Sequence, residues 1–366
     1  MAPSSRIGGN RASATVAAVS GLHLTRTAEN SDEIEALAAA LAADGGGRVG
    51  MAGMAPDLPG RLRRTLAPHP RLLGLKVAQA WTWEAADRRD PNWYPQGITT
   101  SALTGFRERH GHDVLVTSWY ARKAGGSRIS MVDLARRRYG HVLLVYPTLD
   151  DGRPGFRPLK VHAGGILWRG DHLHVAATGV GFHSAHVGDV LRVPAGSPYR
   201  TFGHRYVLPI RFSQVSGQDE GVERLRYSFL TLDRSDDRQA LVVGEYGSAR
   251  QTHRMARYPL DPETGLPVLA DDGRAVPEVG DHGVARVQGI AAVDGTYYLT
   301  RSRGPQRPGS VYVGRPGAFR EYRWAIPPGP EDLVWWPETG CLWSVSEHPR
   351  RRWIFAVRRD DLPAQP

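Results

Sequence analysis

Polar residues stand at the start of several short apolar segments of this chain, and their types could support acid–base chemistry. Gln96, His162, Gln288 and Glu331 each occupy such a position, and Asp332 follows Glu331 directly. The imidazole of a histidine changes charge near neutral pH and often moves protons in enzymes. We therefore predict that His162 is a general acid or base and that the Glu331 carboxyl is its partner.

A second set of polar and aromatic residues follows the apolar segments that come next along the chain. Glu245 is the other candidate partner of His162, and Arg301 could hold a carboxylate or phosphate of a ligand. The further candidates for substrate contacts are Gln96, Trp119, Tyr246, Gln288, Asp332, Glu347 and His348. A cleft lined by such a mixture is typical of a site for a small polar ligand.

These residues also have purely structural explanations. His162 could bond only to the backbone of a turn, and Glu331 with Asp332 could form a solvated turn before a strand. Gln96 and Gln288 share the context Gln-Gly-Ile, in which an inward amide could satisfy backbone groups of neighbouring strands. Both interpretations stay open at the level of the sequence.

Two patterns raise the question of a bound metal. His183 and His186 have the spacing of two zinc ligands on one helical face, but the residues around them do not form a helical pattern. Calcium or magnesium held by Glu331, Glu245 and a glutamine carbonyl is the better hypothesis, since these ions prefer oxygen ligands. No other cofactor is evident, because a Gly-x-Ser-x-Gly segment, a Walker A loop and a dinucleotide-binding glycine pattern are all absent.

The elements that would position these residues repeat along the chain. One repeat is residues 164–178, a short strand, a tight turn and a second strand, and further copies begin near residues 97, 228, 289 and 332. Repeats of this kind are typical of propeller blades. We predict an all-β fold, a β-propeller of about five blades, with the candidate residues on the face where the inner strands begin. A β-sandwich or barrel is the alternative architecture.

The outer strands of the blades are less clear in the sequence. Fourth strands are predicted at residues 141–146, 206–210 and 322–324, whereas the last copy reaches the end of the chain without one. An apolar segment at residues 72–81 precedes the first copy. We predict that this segment completes the last blade and closes the ring, which removes open sheet edges.

The N-terminal residues are predicted to form an arm, residues 1–70, ahead of a propeller at 71–361 and a short tail at 362–366. One helix is expected at about residues 31–44, behind an acidic first turn. Its apolar positions recur at helical spacing, and they are Ile34, Leu37, Ala38 and Leu41. The remainder of the arm carries no regular pattern.

The stretch from residue 12 to residue 22 lacks the continuous apolar core of a signal peptide. We therefore expect a cytoplasmic protein, with secretion as the alternative. No run of apolar residues is long enough for a membrane span.

The chain is basic, with 47 Lys and Arg against 37 Asp and Glu and a formal net charge of +10. The basic residues are spread along the chain, and no nucleic-acid-binding motif accompanies them. We expect a solvated basic surface and a small-molecule ligand, and the oligomeric state stays open. The single cysteine, Cys341, lies in an apolar strand pattern and is expected to be a buried thiol rather than a nucleophile.

Three segments of the chain resemble a group of poorly characterised, often exported actinobacterial propeller-like proteins. They are NWYPQGITT at residues 92–100, VHAGGI at 161–166 and EDL at 331–333. More distantly, the starts of the blades are similar to those of gluconolactonase and strictosidine-synthase-like propellers. The resemblance covers roughly residues 75–360, and it implies a fold but no particular reaction.

Three hypotheses for function follow. The first is an enzyme of lyase, hydrolase or cyclase type that acts on a small polar or anionic metabolite, in specialised metabolism for example. The second is a propeller that binds a sugar or peptide without catalysis. The third is a five-bladed glycosidase, which needs two carboxyl groups across the channel at about 5–10 Å, and Glu245, Glu331 and Glu347 are its candidates.

Overall fold

The computed structural model describes residues 21–65, 74–102, 104–235, 239–280 and 283–364. These residues form five sheets, which are the blades of a β-propeller. The prediction of a propeller of about five blades is confirmed. Residues 12–20 of the stretch tested for a signal peptide, and residues 72 and 73 of the predicted closing strand, lie outside the described residues.

The N-terminal residues contribute strands to the blades as well as the predicted helix. The elements before the first inner strand are β1 (Leu22–Arg26), α1 (Ser31–Ala43), β2 (Gly47–Arg48), α2 (Gly50–Met54), β3 (Gly60–Arg61), β4 (Arg63–Arg64), β5 (Val77–Thr82) and α3 (Ala85–Arg89). The helix α1 lies where the sequence predicts it and buries the four predicted apolar residues. The arm is more regular than its sequence suggests, because β1, β3 and β4 pair with strands of three different blades.

Blade 1 is the largest sheet. Its elements are β6 (Trp93–Thr100), α4 (Phe106–His110), β7 (Leu115–Ala121), β8 (Ser127–Asp133), β9 (Arg138–Asp150) and β10 (Arg153–Pro158). The strand β6 is innermost, and β7, β8 and β9 follow outwards in antiparallel order. Every residue of β6 and β8 is buried, because neighbouring blades cover both faces of the sheet.

Blade 2 differs from the prediction in its fourth strand. Its elements and the adjoining segment are β11 (Ile166–Arg169), β12 (His172–Ala177), β13 (Gly181–His186), β14 (Leu191–Arg192), β15 (Tyr206–Pro209) and β16 (Phe212–Gln218). The segment at residues 206–210 is a strand, but β15 pairs in parallel with β9 of blade 1. The fourth strand of blade 2 is β16, whose buried Ser213, Gln214 and Ser216 hide the apolar pattern expected of a buried strand.

Blades 3, 4 and 5 are simpler sheets. Blade 3 consists of β17 (Phe229–Asp233), β18 (Ala240–Gly244), β19 (Met255–Pro259) and β21 (Glu278–Gly280), and β20 (Arg274–Ala275) pairs with β1 instead. Blade 4 consists of β22 (Val287–Val293), β23 (Thr296–Arg301), β24 (Gly309–Arg315) and β25 (Ala318–Ile326). Blade 5 contains β26 (Pro330–Trp336), β27 (Cys341–Ser346) and β28 (Trp353–Arg358). Short 3-10 helices occupy Val187–Asp189, Pro337–Thr339 and Arg359–Asp361.

The ring is closed by the N-terminal strand β5. It pairs antiparallel with β28 of blade 5, with Trp81 opposite Ile354, so the prediction of closure by the segment before the first blade is confirmed. The inner strands β6, β11, β17, β22 and β26 pack side by side around the central channel. Closure of this kind leaves few unpaired edges.

Five hydrophobic clusters hold the ring together, one at each junction between neighbouring blades. Alternate side chains of a strand point to opposite faces of its sheet, so each blade contributes to two clusters. Cys341 lies in the cluster between blades 5 and 1 and is buried, as expected. Among the described residues, none of the helices combines the length and the apolar character that a membrane crossing requires.

Candidate functional site

The centre of the channel is occupied by the fully buried side chain of Asp332. One of its carboxyl oxygens accepts hydrogen bonds from the backbone N–H groups of Ile98 and Ile166, at 3.3 and 3.4 Å. The backbone of Gly289 packs directly against Asp332. Asp332 therefore bonds to the inner strands of blades 1 and 2 and packs against that of blade 4, and these contacts explain why Gly-Ile recurs at the start of three inner strands.

The glycines of these repeats are required by close packing. A Cβ atom added to Gly289 would lie 2.2 Å from the Cα of Asp332, and one added to Gly165 would lie 2.4 Å from the backbone nitrogen of Leu230. Distances under 3 Å do not occur between real Cβ atoms and their neighbours. The inner strands thus approach one another too closely for any side chain at these positions.

A pair of carboxyl groups lies beside Asp332 where the channel opens. The Glu331 and Glu347 carboxyls hydrogen-bond to each other, and Glu331 is almost fully buried. The Gln288 amide donates to Glu331 Oε1 at 3.3 Å, and the Gln96 amide donates to Glu347 Oε2 at 3.3 Å. Three blades therefore combine to hold the pair.

The surroundings of the pair favour retention of a proton. Burial, followed by the neighbouring charges of Glu347 and Asp332, raises the pKa of Glu331 well above its usual value. Burial also raises the pKa of Glu347, although the Gln96 amide and the positive charge of Arg352 oppose the rise. Two carboxyl groups that share one proton place a donor and an acceptor side by side.

A cavity of about 600 Å³ lies above the pair. It is lined by Gln96, Tyr120, His162, Gly164, Thr178, Arg226, Ser228, Tyr246, Gln251, Gln288, Glu331 and Glu347. The structure thus brings together six of the candidates, His162, Glu331, Gln96, Tyr246, Gln288 and Glu347. All come from the starts of inner strands or from the loops that follow second and fourth strands on the same face.

His162 stands at the edge of this cavity, open to solvent on one side. Its ring packs on the ring of Tyr120, with 4.6 Å between the centroids. Among the described residues, none hydrogen-bonds to its ring nitrogens, so both nitrogens can contact a ligand. The cavity walls lower the pKa of His162 by partial burial, which keeps the imidazole neutral at pH 7.

A second cavity, of about 630 Å³, adjoins the first through Tyr246, Gln288 and Glu347. Its other lining residues are Ser248, Arg286, Arg301, Ser302, Arg303, Gly304, Arg307 and His348. Arg301 donates to the hydroxyl of Tyr312 at 2.6 Å, and Arg303 pairs with Glu321. The candidates Arg301 and His348 therefore lie in this second cavity rather than in the first.

A third cavity, of about 550 Å³, adjoins the first on another side through Tyr120 and His162. Four cationic side chains line it, and they are Arg122, Lys123, Lys160 and Arg200. Arg122 is held by the hydroxyl of Tyr94 at 3.3 Å. The acidic centre of the face is thus flanked by two basic cavities.

Glu245 does not belong to the acidic centre. It is buried and accepts hydrogen bonds from the backbone and guanidinium of Arg254, from Thr252 and from the backbone of Arg226. Burial alone would raise the pKa of Glu245, but the bonds from Arg254 and Thr252 lower it below the usual value. Glu245 anchors the loop between β18 and β19 through these bonds. The calcium or magnesium site predicted from Glu331, Glu245 and a glutamine carbonyl stays a prediction.

Trp119 is a second candidate that the structure places elsewhere. Its side chain is fully buried and packs edge-on against Trp83, with 4.8 Å between ring centroids. The guanidinium of Arg128 lies 4.6 Å from the centre of the Trp119 ring. Trp119 is therefore part of the core between blades 1 and 5, and it cannot contact a ligand in the cavities.

The two histidines considered as zinc ligands both lie on the strand β13 but on opposite faces of its sheet. His183 and His186 are three residues apart on this strand, so their side chains point to opposite faces. His183 bonds to Tyr146 and Ser213, and His186 accepts from the backbone of Gly188. In the part of the chain that the structure describes, no group of three or more His, Cys, Asp and Glu residues is arranged to hold a metal ion.

Apart from Arg301, the basic lining of the cavities was not predicted, although the sequence contains a signal for it. Lys160, Arg226 and Arg286 each stand two residues before the polar residue that opens an inner strand, as Lys160 does before His162 and Arg286 before Gln288. Apart from Arg301, the basic residues were interpreted as dispersed surface charge, and this interpretation hid the repeat.

Neither a protein-family model nor a curated protein sequence matches the chain. Similar solved structures include a gluconolactonase from Xanthomonas campestris, at 14% identity over 85% of this chain and 89% of that chain, with a TM-score of 0.37. A glutaminyl cyclase from Myxococcus xanthus is 9% identical over 66% of this chain and 84% of that chain, with a TM-score of 0.32. A β-propeller domain from Myceliophteria thermophila is 9% identical over 77% of this chain and 99% of that chain, with a TM-score of 0.38. Likenesses at this level say nothing about the chemistry of this chain.

Proposed function

We propose that this chain is a propeller enzyme that transfers protons on a small polar or anionic metabolite, with Glu331 and Glu347 as its acid–base centre. The observation that carries the proposal is the hydrogen-bonded carboxyl pair at the floor of the central cavity. Burying two like-charged groups together is unfavourable, and such arrangements concentrate at functional sites.

The pair supplies the two functions that an elimination, a hydrolysis or a ring closure requires. Its charged member can accept a proton from the ligand, while its protonated member can donate one to a leaving oxygen or nitrogen. The Gln96 and Gln288 amides hold both carboxyls in place. Arg352 donates from Nε to the backbone carbonyl of Glu347 at 2.8 Å and fixes its loop.

His162 is the second proton-transfer group in this proposal. It opens blade 2, which blade 1 separates from blade 5, so it faces the ligand from a different side than the carboxyl pair. A neutral imidazole can act as a base at pH 7. Arg301 in the adjoining cavity is suited to neutralise an anionic group of the ligand, whereas Arg226 in the central cavity is already paired with Glu223 and Glu245.

The glycosidase hypothesis is not supported by the positions of the carboxyls. Glycosidases need carboxyl groups separated by about 5 Å or more, with the sugar between them. Glu331 and Glu347 are in direct hydrogen-bond contact, and Glu245 is engaged by Arg254. The proposal does not use calcium or magnesium, and Glu245, one of the predicted ligands, is paired with Arg254.

A conversion assay with matched variants tests the proposal. The protein is incubated with a library of small lactones, carboxylates and phosphate esters, and products are followed by liquid chromatography and mass spectrometry. We expect Glu347→Gln to lower the rate of conversion by about 100-fold or more, the usual range for loss of a general acid or base. Exposed Glu338, in the turn after β26, gives the control variant Glu338→Gln, which should retain the rate.

Full conversion by the Glu347→Gln variant would exclude the carboxyl pair as the acid–base centre. Saturable binding of library members without any conversion by the wild-type protein would instead support the non-catalytic binding propeller.

The pH dependence of the same conversion tests His162. Because the pKa of His162 is lowered, the ring becomes protonated and loses its acceptor nitrogen only below the ordinary histidine range of about 6.5. The wild-type rate should fall on the acidic side of that value, and His162→Ala should lower the rate at pH 7 by about 100-fold. An unchanged rate and an unchanged acidic limb in His162→Ala would remove His162 from the mechanism.

A further inference from the structure

We infer that the ligand of this site is an acidic glycan, a linear chain of sugars that carries carboxylate groups and lies across the whole site face. One sugar unit would meet the Glu331–Glu347 pair, and acidic units on either side would enter the two basic cavities. This inference rests on the acid–base centre of the proposed function and replaces its small metabolite by one sugar unit of a longer acidic chain.

The first support is that the three cavities adjoin. The central cavity shares Tyr246, Gln288 and Glu347 with the cavity around Arg301, and it shares Tyr120 and His162 with the cavity around Lys160. The acidic centre therefore has a basic recess on each side.

The second support is size. Each cavity has a volume of about 550–630 Å³. A single site for a small molecule usually has about 300–1,000 Å³, so one of these cavities is enough for a monosaccharide or a similar metabolite. Three adjoining cavities suit a ligand several units long.

The third support is the charge of the flanking cavities. Six of their basic side chains have no carboxylate partner among the described residues, and they are Arg122, Lys123, Lys160, Arg200, Arg286 and Arg307. Within the described part of the chain, Arg301 also lacks a carboxylate partner, and its guanidinium bonds to the Tyr312 hydroxyl. Arginine presents a fork of donors that matches the two oxygens of a carboxylate.

The central cavity distinguishes a glycan from a phosphate polymer. Hydroxyl and amide groups that can bond to sugar hydroxyls line it, and they belong to Gln96, Tyr120, Thr178, Ser228, Tyr246, Gln251 and Gln288. A polyphosphate would bring an anionic group against the Glu331–Glu347 pair, where like charges repel strongly because little water screens them. A sugar unit can turn its hydroxyls toward the pair and its carboxylate toward an arginine.

Binding measurements on the full chain test this inference. The ligands are a hexamer of galacturonic acid, its monomer, the neutral glucose hexamer maltohexaose and inorganic polyphosphate, compared by calorimetry at one ionic strength. We expect the acidic hexamer to bind at least ten times more tightly than each of the other three. A monomer that binds as tightly as its hexamer, or equal binding of maltohexaose or polyphosphate, would overturn the inference.

Charge reversals on the two flanks sharpen the test. Arg286→Glu with Arg301→Glu alters one basic cavity, and Arg122→Glu with Lys160→Glu alters the other. Each double variant should weaken hexamer binding about tenfold or more, as expected for the loss of hydrogen bonds to charged groups. The control is Arg315→Glu with Arg358→Glu, two exposed residues where β24 and β28 end on the opposite face, and it should bind the hexamer as the wild type does.

Equal binding by a flank variant and the control would count against the extended ligand. The outcomes also separate this inference from the proposed function. Conversion of a small metabolite with no binding of the hexamer overturns only the glycan, whereas tight hexamer binding without any chemical change overturns only the enzyme.

Discussion

The two ends of the central channel are built from the same five inner strands but have opposite chemistry. The end where the strands finish holds a cavity of about 380 Å³ lined mainly by apolar and threonine side chains, among them Thr99, Leu167, Trp168, Val293 and Trp335. Its carboxyl Asp294 is 75% exposed and pairs with Arg359 at 2.8 Å. At the other end the carboxyls Glu331 and Glu347 are drawn inward and bond to each other.

This difference distinguishes features that the ring of strands requires for folding from features that serve another purpose. Short turns and an exposed ion pair are enough to finish a ring of strands, as the end around Asp294 shows. The end around Glu331 keeps buried acids together, which is unfavourable for stability. We therefore assign ligand binding to the end around Glu331. Substitutions at the two ends should differ in their effects on stability and on ligand binding.

The largest effect is expected at Asp332, which connects the inner strands near the acidic end. Replacement by Ala leaves the backbone N–H groups of Ile98 and Ile166 without an acceptor, and each unsatisfied buried group costs about 1–3 kcal/mol. We expect Asp332→Ala to lower the free energy of unfolding by about 3 kcal/mol or more, measured by urea denaturation. Wild-type stability of this variant would show that the channel is held together by other contacts.

Alanine substitutions at two glycines, one at each end of the channel, allow a direct comparison of the ends. Alanine at Gly289 would place Cβ 2.2 Å from the Asp332 Cα, whereas alanine at Gly295, in the turn at the opposite end, meets nothing within 4 Å. We expect Gly289→Ala to lower the free energy of unfolding by about 3 kcal/mol through overpacking. Gly295→Ala should cost only about 1 kcal/mol, for the positive φ of 73° at that turn. Equal losses in the two variants would contradict the close approach of strands at Gly289.

Glu331→Gln is expected to stabilise the protein at high pH. The folded-state pKa of Glu331 is raised, so the folded protein holds its proton more tightly than the unfolded chain, and stability falls as the pH rises above about 4.3. Glutamine removes this penalty and can still accept the Gln288 amide hydrogen bond. We expect a gain of about 1–2 kcal/mol at pH 8 that disappears near pH 4, measured by thermal unfolding across pH.

A loss of stability at pH 8 in this variant would show that the Glu331 carboxylate is a favourable part of the fold. The matched variant Gln288→Glu, which would add a third acid to the pair, should change stability in the opposite direction.

The smallest effect is expected at the exposed ion pair of the opposite end. Asp294→Asn removes the charge that faces Arg359, and such surface pairs contribute about 0–1 kcal/mol. We expect a change in the free energy of unfolding of less than about 0.5 kcal/mol and no change in ligand binding. A loss of binding in this variant would place the ligand at the wrong end of the channel.

Local patterns predicted much of this fold because they depend on residues close together in the chain. The strand-turn-strand units, the apolar face of α1 and the closing strand β5 all follow from short-range alternation or helical spacing. The strand β16 was missed because its buried Ser213 and Gln214 have the composition of a loop. Whether these residues form a strand depends on hydrogen bonds to strands distant in the sequence, and the periodicity of the sequence does not reveal those bonds.

The sequence predicted which residues belong to the candidate site, but it did not predict which of them contact one another. The positions of His162, Glu331 and Gln288 at strand starts follow from the blade repeat. The bond between Glu331 and Glu347 depends on the loop between β27 and β28, and the engagement of Glu245 by Arg254 depends on the loop between β18 and β19. Loop conformations of this kind leave no simple pattern, so Glu245 looked as available in the sequence as Glu347.

The most direct test of the account is the titration of the two acids. The protein is labelled with carbon-13 at the glutamate carboxyls, and the signals of Glu331 and Glu347 are assigned with Glu331→Gln and Glu347→Gln. We predict that one carboxyl of the pair is still protonated at pH 7 and titrates far above the ordinary glutamate value of about 4.3. Two carboxyls that both titrate near that ordinary value would contradict a shared proton and, with it, the proposed acid–base centre.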